Sequence, residues 1–353
     1  MYLKSPIIVF GLVIFLLTGC FGQQKNNHPK QSFPDQQNIT ESLFIDCATN
    51  APDYLDMYND SVLMLVNSMP TGKSKYHFSL YDAAHGKLLS QRIEFGRKYG
   101  QAMGFLSSGV LSDGNIWAYD INKKTVVFNK FKNILDTSSV ILEKNLTSGF
   151  YRSLKLLDDS TAIGSGNFNS DNKIDFLNLS ADGKPECGIV PYGHDANTPA
   201  SNYDKSAMEN FLFIKPSHDR CVLAYRYTDK IEIVNLKTGE SRMVYGPDGF
   251  DPQMNKMTGP DGKEIAICGN NTIVAFLTGM TTENYIYLLF SGRKFFTENF
   301  TYGNSIYVYS WDGNPVKKIN LSEDIQAFAV SSDDASIYTY DAVKKQIRIG
   351  KLK

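Results

Sequence analysis

Residues 230–246 read KIEIVNLKTGESRMVYG, a short apolar run, a turn and a second run. Ile231, Ile233, Val234 and Leu236 form the first run, and Gly239 in Lys237-Thr238-Gly239-Glu240 is free to take the positive φ of a tight turn. The first run is apolar on both faces, which predicts a strand buried between two layers. Five more versions of this hairpin occur: YHFSLYDAAHGKLLSQRIEFG from Tyr76, NIWAYDINKKTVVFNKF from Asn115, KIDFLNLSADGKPECGIV from Lys173, SIYVYSWDGNPVKKINL from Ser305 and SIYTYDAVKKQIRIGKLK from Ser336. Each has an aromatic or β-branched strand, then Asp, Asn or a turn, then a second strand.

Repeats of roughly 40–50 residues with several strands each are the sequence signature of β-propellers. A β-sandwich also uses many hairpins, but it does not require self-similar ones at near-regular intervals. With strands a to d running from axis to rim, the repeated hairpin supplies c and d, and a and b are sought upstream. Blade 1 is then 54–57, 62–67, 76–82 and 88–95; blade 2 is 103–111, 116–120, 125–131 and 138–142; blade 3 is 151–157, 161–164, 173–179 and 186–190. Blade 4 is 207–214, 221–226, 230–236 and 241–245; blade 5 is 272–278, 284–290, 305–310 and 315–320; blade 6 has only 325–330, 336–341 and 346–352. The run 43–47 in SLFIDC stands alone before blade 1 and can supply the missing d strand, closing the ring and removing two open edges. The expected fold is therefore an all-β, six-bladed propeller with four antiparallel strands per blade, closed by an N-terminal strand on the last blade.

The connections are unequal. Turns a–b and c–d are short and polar, whereas SGNFNSDN from Ser165, PYGHDANTPASNYDKS from Pro191, GPDGFDPQMNKMTGPDGK from Gly246 and SGRKFFTENFTYG from Ser291 are long. By strand count the first and last are b–c loops and the middle two d–a loops, which emerge on one face of an antiparallel blade. Long loops on a rigid scaffold are where function concentrates, although neutral drift also lengthens loops. The binding candidates on this face are Tyr192, His194, Tyr203, Arg293, Phe296 and Tyr302. Aromatic and cationic side chains are typical anchors, though loop aromatics also pack against their own blades.

Composition narrows the partners. Net charge is −1 with 42% hydrophobic and 12% aromatic residues, ample for a large core. This balance gives no case for nucleic acid or for general binding to anionic membranes. The N-terminus reads as an address: Lys4 is a positive n-region, 7–17 an apolar stretch too short for a comfortable span, and Leu17-Thr18-Gly19-Cys20 has the form of a bacterial lipobox. Cys20 would become the acylated first residue, anchoring the chain in a bilayer; an ordinary signal peptide or uncleaved anchor is the alternative. The expected organisation is a signal peptide at 1–19, the acylated Cys and a flexible polar tether at 20–41, and the propeller at 42–353. Phe21 is not the Asp associated with inner-membrane retention in enterobacteria. FGQQKNN also lacks the acidic cluster that accompanies surface display in Bacteroidetes, so an outer-membrane anchor facing the periplasm is expected.

Little chemistry is written in motifs. Cys47, Cys187, Cys221 and Cys268 match no metal spacing; Cys221 opens an apolar strand and Cys187 lies within one, so buried free thiols are expected. Trp311-Asp312 occurs once without the Gly-His of a WD40 repeat, and Gly164-Ser165-Gly166 is an incomplete nucleophile elbow. No calcium loop, phosphate loop or dinucleotide fingerprint is found, so neither metal nor cofactor is expected.

A lipobox, a tether and a six-bladed body with the strand ENYIYLLFSGR, most specifically Tyr285 to Arg293, resemble the TolB-like six-bladed propeller lipoproteins of Bacteroides and relatives. That resemblance implies the fold and an envelope location, offers no catalytic residues, and suggests protein contacts at most. Two functions stay open. One is a monomeric, membrane-anchored module binding an envelope protein or glycan. The other is a propeller lyase or hydrolase with its site at the channel mouth. The inner strands (LKLLDD, FLFIKP, IQAFAV) carry few convergent acids or histidines, which favours binding.

Overall fold

The computed structural model describes residues 31–47, 51–70, 74–130, 136, 139–193, 200–259 and 261–352. Six antiparallel blades form in chain order. Blade 1 comprises Tyr54–Tyr58, Val62–Val66, Tyr76–Asp82 and Leu88–Glu94; blade 2, Phe105–Val110, Ile116–Asp120, Thr125–Lys130 and Val140–Asn145; blade 3, Ser153–Leu156, Thr161–Ser165, Asn172–Asn178 and Lys184–Pro191. Blade 4 comprises Asn210–Ile214, Arg220–Tyr225, Ile231–Asn235 and Ser241–Val244, and blade 5, Ile273–Thr281, Tyr285–Lys294, Gly303–Ser310 and Pro315–Ile325. Blade 6 has Ala327–Val330, Ser336–Asp341 and Gln346–Lys351, and its outermost strand is the N-terminal Ser42–Asp46, antiparallel to Gln346–Lys351.

The core lies between blades. Six apolar clusters occupy the six seams. The two-residue period of a strand sends alternate side chains to opposite seams. Along Tyr285–Lys294, Ile286, Leu288 and Phe290 pack toward blade 4, while Tyr287 and Leu289 pack toward blade 6. Middle strands are therefore covered on both sides, as Val62–Val66 is throughout, which is why they read as continuous apolar runs. Outer strands are not: Lys184–Pro191 is mostly exposed. This corrects the expectation for Cys187, which lies on that rim strand and is exposed; Cys221, in the middle strand Arg220–Tyr225, is buried.

The Asp or Asn that closes a strand before a tight turn has a common purpose, in b–c turns (Asp120, Asp341) and c–d turns (Asp82, Asn235) alike. Asp82, Asp120, Asp341 and Asn235 each accept the backbone N–H groups two and three residues on, at 2.9–3.1 Å. The turns then pass through positive φ at Gly86, Lys124, Lys345 and Gly239. These side-chain caps satisfy turn donors locally, so the same two-residue logic recurs without tertiary help.

The tether boundary needs correction. Asp35–Ile39 is a strand, parallel to Pro315–Ile325 with Asp35 opposite Lys317 and Ile39 opposite Leu321, so blade 5 has five strands. Phe33 packs 4.8 Å from the Tyr307 ring and 5.2 Å from that of Tyr309. Buried Glu41 accepts the Ser322 hydroxyl at 2.6 Å, and its carbonyl accepts Arg348 Nη2 at 2.5 Å. The N-terminal segment thus straps blade 5 to blade 6. DQQNI reads as tether because a rim strand pairs through its backbone and turns most of its side chains to water.

Candidate functional site

The four long connections do emerge together. The blade 3–4 connection holds a helix, Asn202–Ala207, with a reciprocal cap between Ser201 and Asp204. The blade 4–5 connection holds a hairpin, Met254–Thr258 paired with Glu264–Cys268. Neither element was expected from the sequence. They interlock: Ser206 Oγ accepts the Ala266 N–H at 2.7 Å, and Tyr203 Oη donates to the Met254 carbonyl at 3.2 Å. Buried Lys205 donates to the carbonyls of Phe168 (3.1 Å) and Ser170 (2.7 Å), tying the helix to the blade 3 b–c loop. Ser170 Oγ in turn donates to Asp175 at 2.7 Å, and Tyr151 Oη does so at 3.0 Å.

A cavity of about 450 Å³ opens between these elements and the blade 5 b–c loop. Apolar walls come from Phe168, Tyr227, Ile265, Ile267, Phe295 and Phe296. Its polar floor is one carboxylate shared by two guanidiniums: Glu209 lies 3.0 Å from Arg152 and 3.0 Å from Arg226. Each arginine also covers an aromatic ring, Arg152 that of Phe168 at 5.7 Å and Arg226 that of Phe211 at 5.9 Å. The Arg226 Nε is buried without an acceptor among the described residues. Beside it, Tyr227 and Cys268 are hydrogen-bond partners; burial pushes both groups up, opposed in each by the Arg226 charge, so the thiol stays protonated near neutrality. A second cavity of about 460 Å³ adjoins the first, sharing Met254, Cys268 and Phe296, and is lined by the amides of Gln253, Asn255, Asn270 and Asn271.

Of the six side chains expected on this face, Phe296 enters the site: it is 67% exposed, at φ +66°, and lines both cavities. Tyr203 joins helix to hairpin beside it, with Lys256 Nζ 5.0 Å above its ring. The other described candidates have structural partners. Arg293 is bidentate to Asp324 at 2.8 and 2.7 Å and donates to the Asn299 carbonyl at 2.8 Å, so it braces its own loop. The Tyr302 N–H closes that loop on the Asn299 carbonyl at 3.0 Å. Tyr192 packs under Lys205 at 5.6 Å; burial first, then the charges of Asp175 and Glu232, push its phenol up to about 12. His194 lies outside the described residues. Sequence reasoning missed Arg152, Glu209 and Arg226 because they sit at strand ends rather than in long loops. The same strand count would have found them: Arg152 and Glu209 precede inner strands and Arg226 follows a b strand, all at the loop-face end.

The central channel holds one further charged pair. Asp56 on the inner strand of blade 1 and Lys155 on that of blade 3 alternate with buried Leu55, Leu154 and Leu156 and so turn inward. Desolvation raises the Asp56 carboxyl and lowers the Lys155 ammonium, each partly countered by the other's charge. Among the described residues no group of three or more His, Cys, Asp or Glu is placed to hold a metal ion, and no helix is long and apolar enough to cross a membrane.

The six seams, the closing strand and the repeated capped turns define a six-bladed propeller. The chain belongs to the TolB-like 6-blade propeller-like family, whose model matches residues 30–333. No curated protein matches the chain. Among solved structures it is similar to Kuenenia stuttgartiensis hydrazine synthase, with 14% identity, a TM-score of 0.48, 94% of this chain covered and 99% of that one. It is likewise similar to the β-propeller domain of Myceliophteria thermophila Cps50 (Swd1), with 9% identity, a TM-score of 0.48, and coverage of 89% and 100%. Both likenesses are too loose to bear on function.

Proposed function

We propose that the protein is a lipid-anchored interaction module of the bacterial envelope, holding a protein or glycan on its b–c and d–a face. The observation carrying this reading is the asymmetry of exposed apolar side chains. Met69, Phe95, Tyr99, Phe150, Met257, Phe296 and Val343 all lie in b–c or d–a connections, whereas among the described residues none of the exposed large hydrophobics lies in an a–b or c–d turn; Leu43, Leu88, Leu89, Val140 and Ile141 are on outermost strands and Leu106 on an inner one. Concentrated exposed apolar surface supports an interaction site. Anchorage through Cys20 rests on the lipobox, and its placement in the outer membrane facing the periplasm on Phe21 and the absence of acidic residues in FGQQKNN.

The test is capture from envelope extract by the full chain in detergent, beside a variant lacking residues 254–268. Capture lost in the variant supports the face; equal capture by both removes it. Cys20→Ala should move the protein to the soluble fraction, and retention on membranes after a salt wash would overturn the anchor. A second reading, an enzyme working at the channel mouth, is favoured by the perturbed Asp56 and Lys155, since shifted titrations gather at functional sites.

A further inference from the structure

We infer that the cleft takes an acidic oligosaccharide, seating a hexuronate carboxylate on Arg152 and Arg226 and a neighbouring sugar against the amide-lined cavity. This deepens the binding reading above and rests on the loop face being the working face. Charge is the first argument. Two guanidiniums share one carboxylate, so the floor keeps one formal positive charge, and each arginine spends a single Nη1 on Glu209. Neither Nη2 has an acceptor among the described residues, and the Arg152 and Arg226 side chains remain 41% and 33% exposed. A planar fork with spare donors beside apolar walls matches a carboxylate carried on a compact ring.

The walls supply the second argument. Phe296 presents an exposed ring between the two cavities. A flat aromatic face packs against the C–H face of a pyranose and leaves the hydroxyls free. The hydroxyls then need donors and acceptors together, and side-chain amides offer both. Gln253, Asn255, Asn270 and Asn271 are exposed, and none of these four amides has a side-chain hydrogen bond among the described residues. An acidic peptide would use the arginines and the aromatic walls but has no need of four free amides in the adjoining space. Cavities of about 450 and 460 Å³ give each of two sugar units its own compartment. Helix, hairpin and blade 3 loop are hydrogen-bonded to one another, so the cleft is preorganised.

Calorimetric titration of the full chain in detergent with digalacturonic acid, a neutral hexose disaccharide and the dipeptide Phe-Glu tests the inference. The uronate should bind at least about tenfold more tightly than the neutral sugar, the scale of one charge-assisted pair. R152Q should weaken uronate binding about tenfold and leave the neutral sugar unchanged. E209Q, which keeps the side chain's shape while removing the competing charge, should strengthen uronate binding severalfold; a purely structural Glu209 would make it weaker. F296A should weaken both sugars, with an unchanged melting temperature excluding misfolding. Tighter binding of Phe-Glu than of the uronate, or no uronate binding at millimolar concentration, overturns the inference. If the uronate fails while the 254–268 deletion still abolishes capture from extract, the face stands and the ligand class falls. If that deletion leaves capture unchanged, the working face itself is wrong.

Discussion

On the turn face Asp82, Asp219 and Asp333 are held below the usual carboxylate range, by the His85 N–H in the first, the Ser217 hydroxyl in the second and the Ser331 hydroxyl in the third. Asp158 is lowered too, its partial burial outweighed by hydrogen bonds from Ser160 and Thr161. Beneath the loop face the order reverses. Desolvation raises Asp175 and Asp229 despite the hydrogen bonds they accept, and it raises Asp56 in the channel. One set caps turns that need nothing beyond their own residues. The other anchors connections that must be pinned to the scaffold from inside: Asp229 Oδ2 accepts the N–H groups of Asp248 (2.9 Å) and Gly249 (2.8 Å). Local capping builds a uniform face at little cost, whereas a varied face requires buried polar anchors that oppose folding on their own account.

The largest expected effect comes from the ring on which both faces hang. Removing residues 1–46 strips Ser42–Asp46 from blade 6 and Asp35–Ile39 from blade 5, and should cost on the order of 3–5 kcal/mol, several backbone hydrogen bonds at about 1 kcal/mol each. Removing 1–40 spares the closing strand and should cost roughly half as much. Chemical denaturation measures both; equal midpoints for the two truncations would mean that closure contributes nothing.

This contrast also explains what could be read in advance. The seams were legible because middle strands announce themselves by apolar runs and several of them end in a capping Asp or Asn, signals contained within a few residues. The loop face was located by counting strands, yet its contents were not readable. The helix at Asn202–Ala207 and the hairpin at Met254–Cys268 are stabilised by each other through Ser206 and Tyr203, a tertiary dependence with no local trace. Arg293 looked like a free cation for want of any sign that Asp324, 31 residues on, would claim it.

Next in size is the channel pair. Lys155→Met should destabilise by about 1–3 kcal/mol, since it leaves Asp56 desolvated without its compensating charge. The double variant with Asp56→Asn should recover most of that loss. If the two changes prove additive, the residues are not coupled across the channel. Loss of the Arg293 brace is smaller. Because both partners are about 30% exposed, Arg293→Ala should cost roughly 1 kcal/mol, discounted for solvent screening. It should leave uronate affinity within about twofold, because Arg293 lines neither cavity. A larger affinity loss than stability loss would return Arg293 to the binding surface.

The smallest effect is the most direct test of the two faces. Asp229 is raised in the folded state, so its contribution is fully present below the unfolded value near 3.8 and is lost as pH rises through the raised folded value. Asp158 is lowered, so its contribution is present above 3.8 and is lost as pH falls through the depressed value. Asparagine at either position keeps an acceptor oxygen while removing the charge. D229N should therefore raise the melting temperature at pH 7, with the gain shrinking as the solution is acidified toward pH 4. D158N should lower it slightly at pH 7, with the loss shrinking below pH 4. The Oδ1 of Asp229 is buried without a hydrogen-bond partner among the described residues, so the charge that D229N removes is incompletely compensated by the fold. Melting curves of the two variants from pH 3 to 8 decide the matter. Shifts of the same sign at pH 7 would mean that both carboxylates are governed by the same balance, and the distinction drawn between the faces would fail.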